Sequence, residues 1–243
     1  MISILILASA LSASNPFSYE ACLKKADRHP DQALEMAMNA QVDGADPYAE
    51  HCAAVALVGL KQYGEAARRL DLLARKGSAG NAERRGEIMD QAGNAWLLAG
   101  QPELATASFT AALALMPNES LYLIDRARAS ADMKKWPQAE SDLSAALASE
   151  PGSSEALILR SSARRAQKNL QGSMGDITQA LLLEPENVEA LVERGLIRAA
   201  NGDRKGARED FLQVLDKAPN GPAAASARKE IERLELKNGK QGR

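Results

Sequence analysis

Few residues in this chain have a type and spacing that suggest chemistry. The two histidines, His29 and His51, form no cluster at metal-ligand spacing. No phosphate-binding glycine loop, nucleophile elbow or Ser/His/Asp arrangement occurs. The many carboxylates fall at solvated positions of helical patterns. The expectation is therefore no catalytic residue, no cofactor and no metal site, and a chain that is not an enzyme. Two features remain. Cys22 and Cys52 are the only cysteines. Arginine and aspartate recur as Arg126/Asp142, Arg160/Asp176 and Arg194/Asp210, with the same slots uncharged in Ala92 and Ser108. Partners that are present together or absent together predict direct contact between two helices of one unit, with the guanidinium fork bonding the carboxylate at two points. A row of ligand-binding arginines is the alternative, and a charge-paired arginine has less capacity for that role.

The elements that carry these residues follow from a repeat. Pro117, Pro151, Pro185 and Pro219 each stand 34 residues after the one before, and a fixed period of that length marks a stacked-repeat protein. Within the unit ending at Pro151, apolar or small residues recur at three- and four-residue spacing. They are Leu123, Ala127, Ser130 and Ala131, then Ala139, Leu143, Ala146 and Leu147. That predicts two helices broken near Trp136-Pro137 and ended by Pro151-Gly152. Two antiparallel helices of about a dozen residues cannot bury their apolar faces alone, so each unit needs neighbours.

The composition fits such an array. The 243 residues are 45% hydrophobic and 26% charged, with only 4% aromatic. Net charge is −2, which gives no electrostatic footprint for nucleic acid or an anionic membrane. No apolar run approaches the roughly 20 residues of a membrane span. Residues 1–13 are apolar and then rich in small residues, which predicts a secretory signal cleaved after Ala10 or Ala13. The segment lacks a Lys or Arg before its apolar stretch. The other reading is a short buried helix packed on the first repeat.

The pattern Gly93-x2-Trp96, then Ala105-x3-Phe109-x2-Ala112-x4-Pro117, resembles the tetratricopeptide repeat. Three further copies follow in register. The resemblance implies an all-α, right-handed superhelical solenoid of antiparallel helix pairs. Four units span 86–119, 120–153, 154–187 and 188–221. Two divergent units fill 14–80, Asn81–Arg85 is expected as an insertion loop, 222–237 as a capping helix, and 238–243 as a polar tail.

The resemblance also implies that first helices line a concave groove for an extended or helical partner. Carried over position by position, the groove candidates are Asp90, Asn94, Ile124, Arg128, Ile158, Arg165, Val192 and Leu196. Ile124, Ile158 and Val192 form an apolar stripe at 34-residue spacing, and Arg128 and Arg165 would orient an acidic or carboxylate-bearing segment. The other reading is that the stripe packs adjacent helices. The Lys/Asn/Arg set by which related domains clamp chaperone C-termini is missing, and Asp90 stands where a clamp lysine belongs. Cys22 and Cys52 fall on first helices of neighbouring units. They form a disulfide if the chain is exported, and remain two buried thiols otherwise. The expected function is a non-enzymatic scaffold for a protein or peptide partner, periplasmic or secreted in the cell envelope of a bacterium. The alternatives are an intracellular (cytoplasmic) adaptor or regulatory module and an auxiliary subunit of an enzyme complex.

Overall fold

The computed structural model describes residues 17–41 and 46–241. The expected signal segment lies outside the described residues. Six helix pairs follow one another. They are α1 (Tyr19–Arg28) with α2 (Pro30–Ala40), α3 (Pro47–Gly59) with α4 (Tyr63–Arg75), α5 (Ala82–Leu98) with α6 (Pro102–Leu115), and α7 (Ser120–Asp132) with α8 (Trp136–Ser149). Next come α9 (Ser154–Ala166) with α10 (Leu170–Leu183), α11 (Val188–Ala200) with α12 (Arg204–Lys217), and a closing helix α13 (Pro222–Gln241). The described residues contain no strand. The architecture is an all-α solenoid of antiparallel pairs.

Local chemistry sets the helix ends. Side chains of Ser18, Asp46, Asn81, Ser153, Asn169, Asn187 and Asp203 each accept a hydrogen bond from a backbone N–H in the first turn. Such caps satisfy donors that the helix itself leaves open. Pro30, Pro47 and Pro102 open their helices, where a missing N–H costs nothing. Pro117, Pro151, Pro185 and Pro219 each stand two residues past a second helix, at Leu115, Ser149, Leu183 and Lys217. From the second pair to the sixth the chain reverses through one residue at positive φ: Lys61, Gly100, Lys134, Lys168 and Gly202; the first pair turns at His29 with a φ of −139°.

Packing inside a pair is a matched exchange of volume. Gly93 faces Phe109, and a Cβ built on Gly93 would lie 2.4 Å from the Phe109 ring. Gly195 faces Phe211 in the same way, at 2.5 Å. Where the intervening units carry Ala127 or Ser161 in place of glycine, the opposing residue shrinks to Leu143 or Ile177. All four large residues are fully or almost fully buried. Interiors at crystal-like density leave no slack for a methyl group added on one side alone.

The charge pairs lie at the edge of this core. Arg126 donates from Nε and Nη2 to Asp142 at 2.9 and 2.7 Å, and Arg160 does the same to Asp176 at 3.0 and 2.7 Å. Arg194 meets Asp210, whose side chain is fully buried, at 2.6 Å. The pairs are therefore intra-unit contacts, as the spacing predicts. They also join units. Arg126 Nη1 reaches back to Thr110 at 3.3 Å, and Arg160 Nη1 to Ser144 at 3.2 Å. Arg164 bridges Glu140 and Asp176, both at 2.8 Å. In the unit without the pair, Ser108 turns instead to Asp71 of the preceding unit, which also accepts from Trp96 Nε1, each at 2.8 Å.

Two expectations are corrected. Asn81–Arg85 is not an insertion loop. Asn81 caps α5 by accepting from Arg84 N at 2.9 Å, so the inserted residues lengthen α5 to 17 residues. The connecting segment is Lys76–Gly80, with a 3₁₀ turn at Gly77–Ala79. The capping helix does not stop at 237, because α13 continues to Gln241.

Candidate partner-binding face

The first helices, α1, α3, α5, α7, α9 and α11, form one continuous face. Its register can be counted from the positive-φ turn residues. Ten residues before each stand His51, Asp90, Ile124, Ile158 and Val192. The expected apolar stripe is thus the C-terminal part of a column whose N-terminal part is polar. Its members are unequally exposed. His51, Asp90 and Ile124 are buried at 6, 7 and 4% exposure, while Ile158 and Val192 are partly open. Ile124 belongs to the central apolar core and offers the face little surface.

At the N-terminal end, one hydrogen-bonded chain spans three units. Tyr19 hydroxyl meets His51 Nδ1 at 2.8 Å, and His51 Nε2 meets Gln91 Oε1 at 2.7 Å. The amide oxygen can only accept, so Nε2 carries the proton and Nδ1 accepts from the tyrosine. Burial holds the His51 pKa below its ordinary value, which keeps the ring neutral. Arg84 stacks over Tyr48 with its guanidinium carbon 4.4 Å from the ring centre. Beneath this cluster Cys22 and Cys52 are joined by a disulfide, with Cα atoms 6.2 Å apart. It ties α1 to α3.

In the middle of the face lies an acidic pair. Asn94 Nδ2 donates to Asp90 Oδ2 at 3.2 Å and to Asp125 Oδ2 at 2.9 Å. Arg128 bonds Asp125 of its own helix and Glu155 of the next unit. Burial first, and the Asp125 charge second, push the Asp90 carboxyl up to about 7. Burial, with Asp90 and Glu87 nearby, pushes the Tyr122 hydroxyl up to about 12.

Toward the C-terminal end, Arg165 donates to both oxygens of the buried Glu193, at 2.6 and 3.1 Å. Burial raises the Glu193 pKa, and Arg165 opposes that. Leu196 is partly buried and lines a recess of about 380 Å³ against α13, together with Arg165, Ala199, Arg204, Arg233 and Leu234. A second recess, of about 370 Å³, opens where α9 meets the α10–α11 turn.

The structure therefore gathers the eight candidates on one face but divides their roles. Asp90, Asn94 and Arg128 share one polar network. Ile158, Val192 and Leu196 supply partly open apolar surface. Both arginines are engaged by carboxylates, which leaves neither free to seize an acidic partner. The partners that sequence reasoning missed, Asp125, Glu155 and Glu193, sit 3, 27 and 28 residues from their arginines. A search for pairs between successive first helices, just short of one repeat period, would have found the latter two.

No protein-family model matches the chain, and no curated protein matches it. Solved structures do resemble it. One is MamA, residues 41 to the end, from Desulfovibrio magneticus RS-1. It is 22% identical with a TM-score of 0.63, over 72% of this chain and 96% of that one. Another is YrrB, described as a TPR protein with an unusual peptide-binding site. It is 17% identical with a TM-score of 0.58, over 81% of this chain and 98% of that one. Another MamA structure is 15% identical with a TM-score of 0.59, over 68% of this chain and 93% of that one. Repeat register, paired helices and structural neighbours agree on one fold, and the chain has the fold of the tetratricopeptide-repeat solenoids.

Proposed function

We propose that this chain is a non-enzymatic scaffold that holds a protein or peptide partner along its concave first-helix face, in the oxidising environment of a bacterial cell envelope. The observation that carries the reading is the face itself. It is continuous across the units, partly apolar at Ile158, Val192 and Leu196, and opened by two recesses of about 380 and 370 Å³. Extended or helical segments bind such surfaces by seating apolar side chains in successive pockets. The buried titratable groups along it, Asp90, Asp125 and Glu193, are tied into structural contacts with Asn94, Arg128 and Arg165, which favours a binding surface over a reacting one. A neighbour of the same fold is described as having a peptide-binding site. The compartment is supported by the Cys22–Cys52 disulfide, since such bonds persist in oxidising surroundings.

The test uses a photo-crosslinking residue at Ile158 or Val192, with Gln179 on exposed α10 as control. In living cells the first two positions should yield the same crosslinked protein, and Gln179 should not. Ile158→Asp should weaken binding of that protein more than tenfold, because it places a charge in the contact centre. Equal crosslinking from Gln179, or unchanged binding by a folded Ile158→Asp chain, would move the site elsewhere.

A further inference from the structure

We infer that the segment seated on this face is basic, with a lysine or arginine side chain in the recess between α9 and the α10–α11 turn. The inference deepens the scaffold reading and rests on it. The recess is lined by Glu155, Ile158, Leu159, Glu184, Asn187 and Glu189. Ile158 and Leu159 are partly buried and give it an apolar floor, while the three glutamates are exposed around it. No cationic side chain lines it. Arg128, at its edge, bonds Glu155. Three carboxylates against one arginine leave two negative charges unbalanced. Glu184 is met by the neutral Asn187 side chain at 2.6 Å. Glu189 has no hydrogen bond or ion pair among the described residues.

Helix stability accounts for only part of this charge. Glu155 and Glu189 lie in the first turns of α9 and α11, where acids complement the helix dipole. Glu184 does not fit that account, and neither does Glu150 at the same C-cap of α8; what sets Glu184 apart is the recess it borders. Glu184 is the C-cap of α10, the end at which a carboxylate is disfavoured. Its placement turns a helix end that repels anions into one wall of an acidic recess with a hydrocarbon floor. Lysine and arginine suit such a site, since the methylene stem lies on apolar surface while the charged head reaches carboxylates. Acidic positions return farther along the face, with Leu121 at the intervening one. Glu87 occupies the same repeat position as Glu155 and Glu189, and Glu83 lies one turn before it; both are exposed. In the recess an acidic segment would meet the glutamate charges with no cation in the lining, and Arg128 at its edge is already engaged by Asp125 and Glu155.

The experiment selects a phage-displayed library of random dodecapeptides on the full, oxidised chain. Selection is repeated on the folded double variant Glu184→Gln/Glu189→Gln, which leaves the Arg128–Glu155 pair in place. The expected result is enrichment of peptides that combine Lys or Arg with apolar residues. Their synthetic versions should lose at least about tenfold in affinity on the double variant and weaken with added salt. Enriched peptides that are acidic or neutral would overturn the basic assignment while leaving the scaffold reading in place. So would basic peptides that bind the double variant as tightly as wild type. Failure to enrich any peptide that competes at Ile158 would remove both readings together.

Discussion

At the scale of single residues, Asp90 is the most consequential side chain on the face. It is buried beside a second carboxylate, Asp125, and accepts from the Asn94 amide that also bonds Asp125. Its carboxyl moves from 3.8 when free to about 7 in the fold. A raised acid binds its proton in the native state before the unfolded chain does. Its contribution is therefore full at low pH and is lost as pH rises from about 4 through about 7. Asp90→Asn keeps the shape and a hydrogen-bond donor toward Asp125 without the charge. Urea titrations should show the variant more stable than wild type at pH 8 and close to it at pH 4, with a flatter pH profile between. Parallel profiles would mean that Asp90 is ionised throughout. The sequence marked this residue as out of place for a chaperone clamp. Its burial and its pairing with Asp125 depend on how closely α5 and α7 approach, and no spacing within one unit records that. The same limit applies to Arg128 and Arg165. Their positions on the face follow from the repeat, but their partners Glu155 and Glu193 stand on the next first helix.

At the scale of elements, the turn inside the second to sixth pairs is uniform in backbone and varied in residue type. Gly100 and Gly202 adopt φ of 70° and 87° without penalty, whereas Lys61, Lys134 and Lys168 hold φ near 60° with a Cβ in place. The left-handed region costs an L-residue about 1–2 kcal/mol. Glycine also has more freedom to lose on folding, which offsets part of the gain. Lys168→Gly should therefore stabilise the chain by about 0.5–1 kcal/mol, read as a shift in thermal or denaturant midpoint, and Lys134→Gly should do the same. A loss of stability in both would show that the lysine side chains, not the turn, govern these positions. This uniformity explains why the helix pairs were legible. Caps, terminal prolines and the Gly/Phe exchange repeat with the period, so each copy reinforces the others. Asn81–Arg85 breaks the period, and its charged residues carry no apolar rhythm. The chain reads there as a loop, although one asparagine cap is enough to start α5 four residues early.

At the scale of the whole molecule, stability is distributed along a line, because each pair touches chiefly its neighbours. The two ends are built differently. The C-terminal pair and α13 share a core containing Leu191, Phe211, Val214 and Leu234. The N-terminal core is made of Cys22, Ala26, Ala33, Ala37, Cys52, Ala53 and Ala56, side chains that bury little apolar area apiece. The Cys22–Cys52 bond compensates at that end. It closes a separation of 30 residues, for which chain entropy alone gives roughly 3–4 kcal/mol. Because coupling fades along the array, that stabilisation should be felt locally. Reduction under native conditions should speed amide exchange in α1, α2 and α3 by orders of magnitude, while α9 to α12 keep their protection. Cys22→Ser/Cys52→Ser should reproduce this without reductant. Since Tyr19 and His51 anchor the N-terminal end of the face to Gln91, reduction should also loosen that end while the recess at Glu184 and Glu189 keeps its shape. Uniform exchange along the whole chain after reduction would show that the array unfolds as one cooperative unit. Unchanged exchange in α1 would show that alanine packing alone holds the first pair.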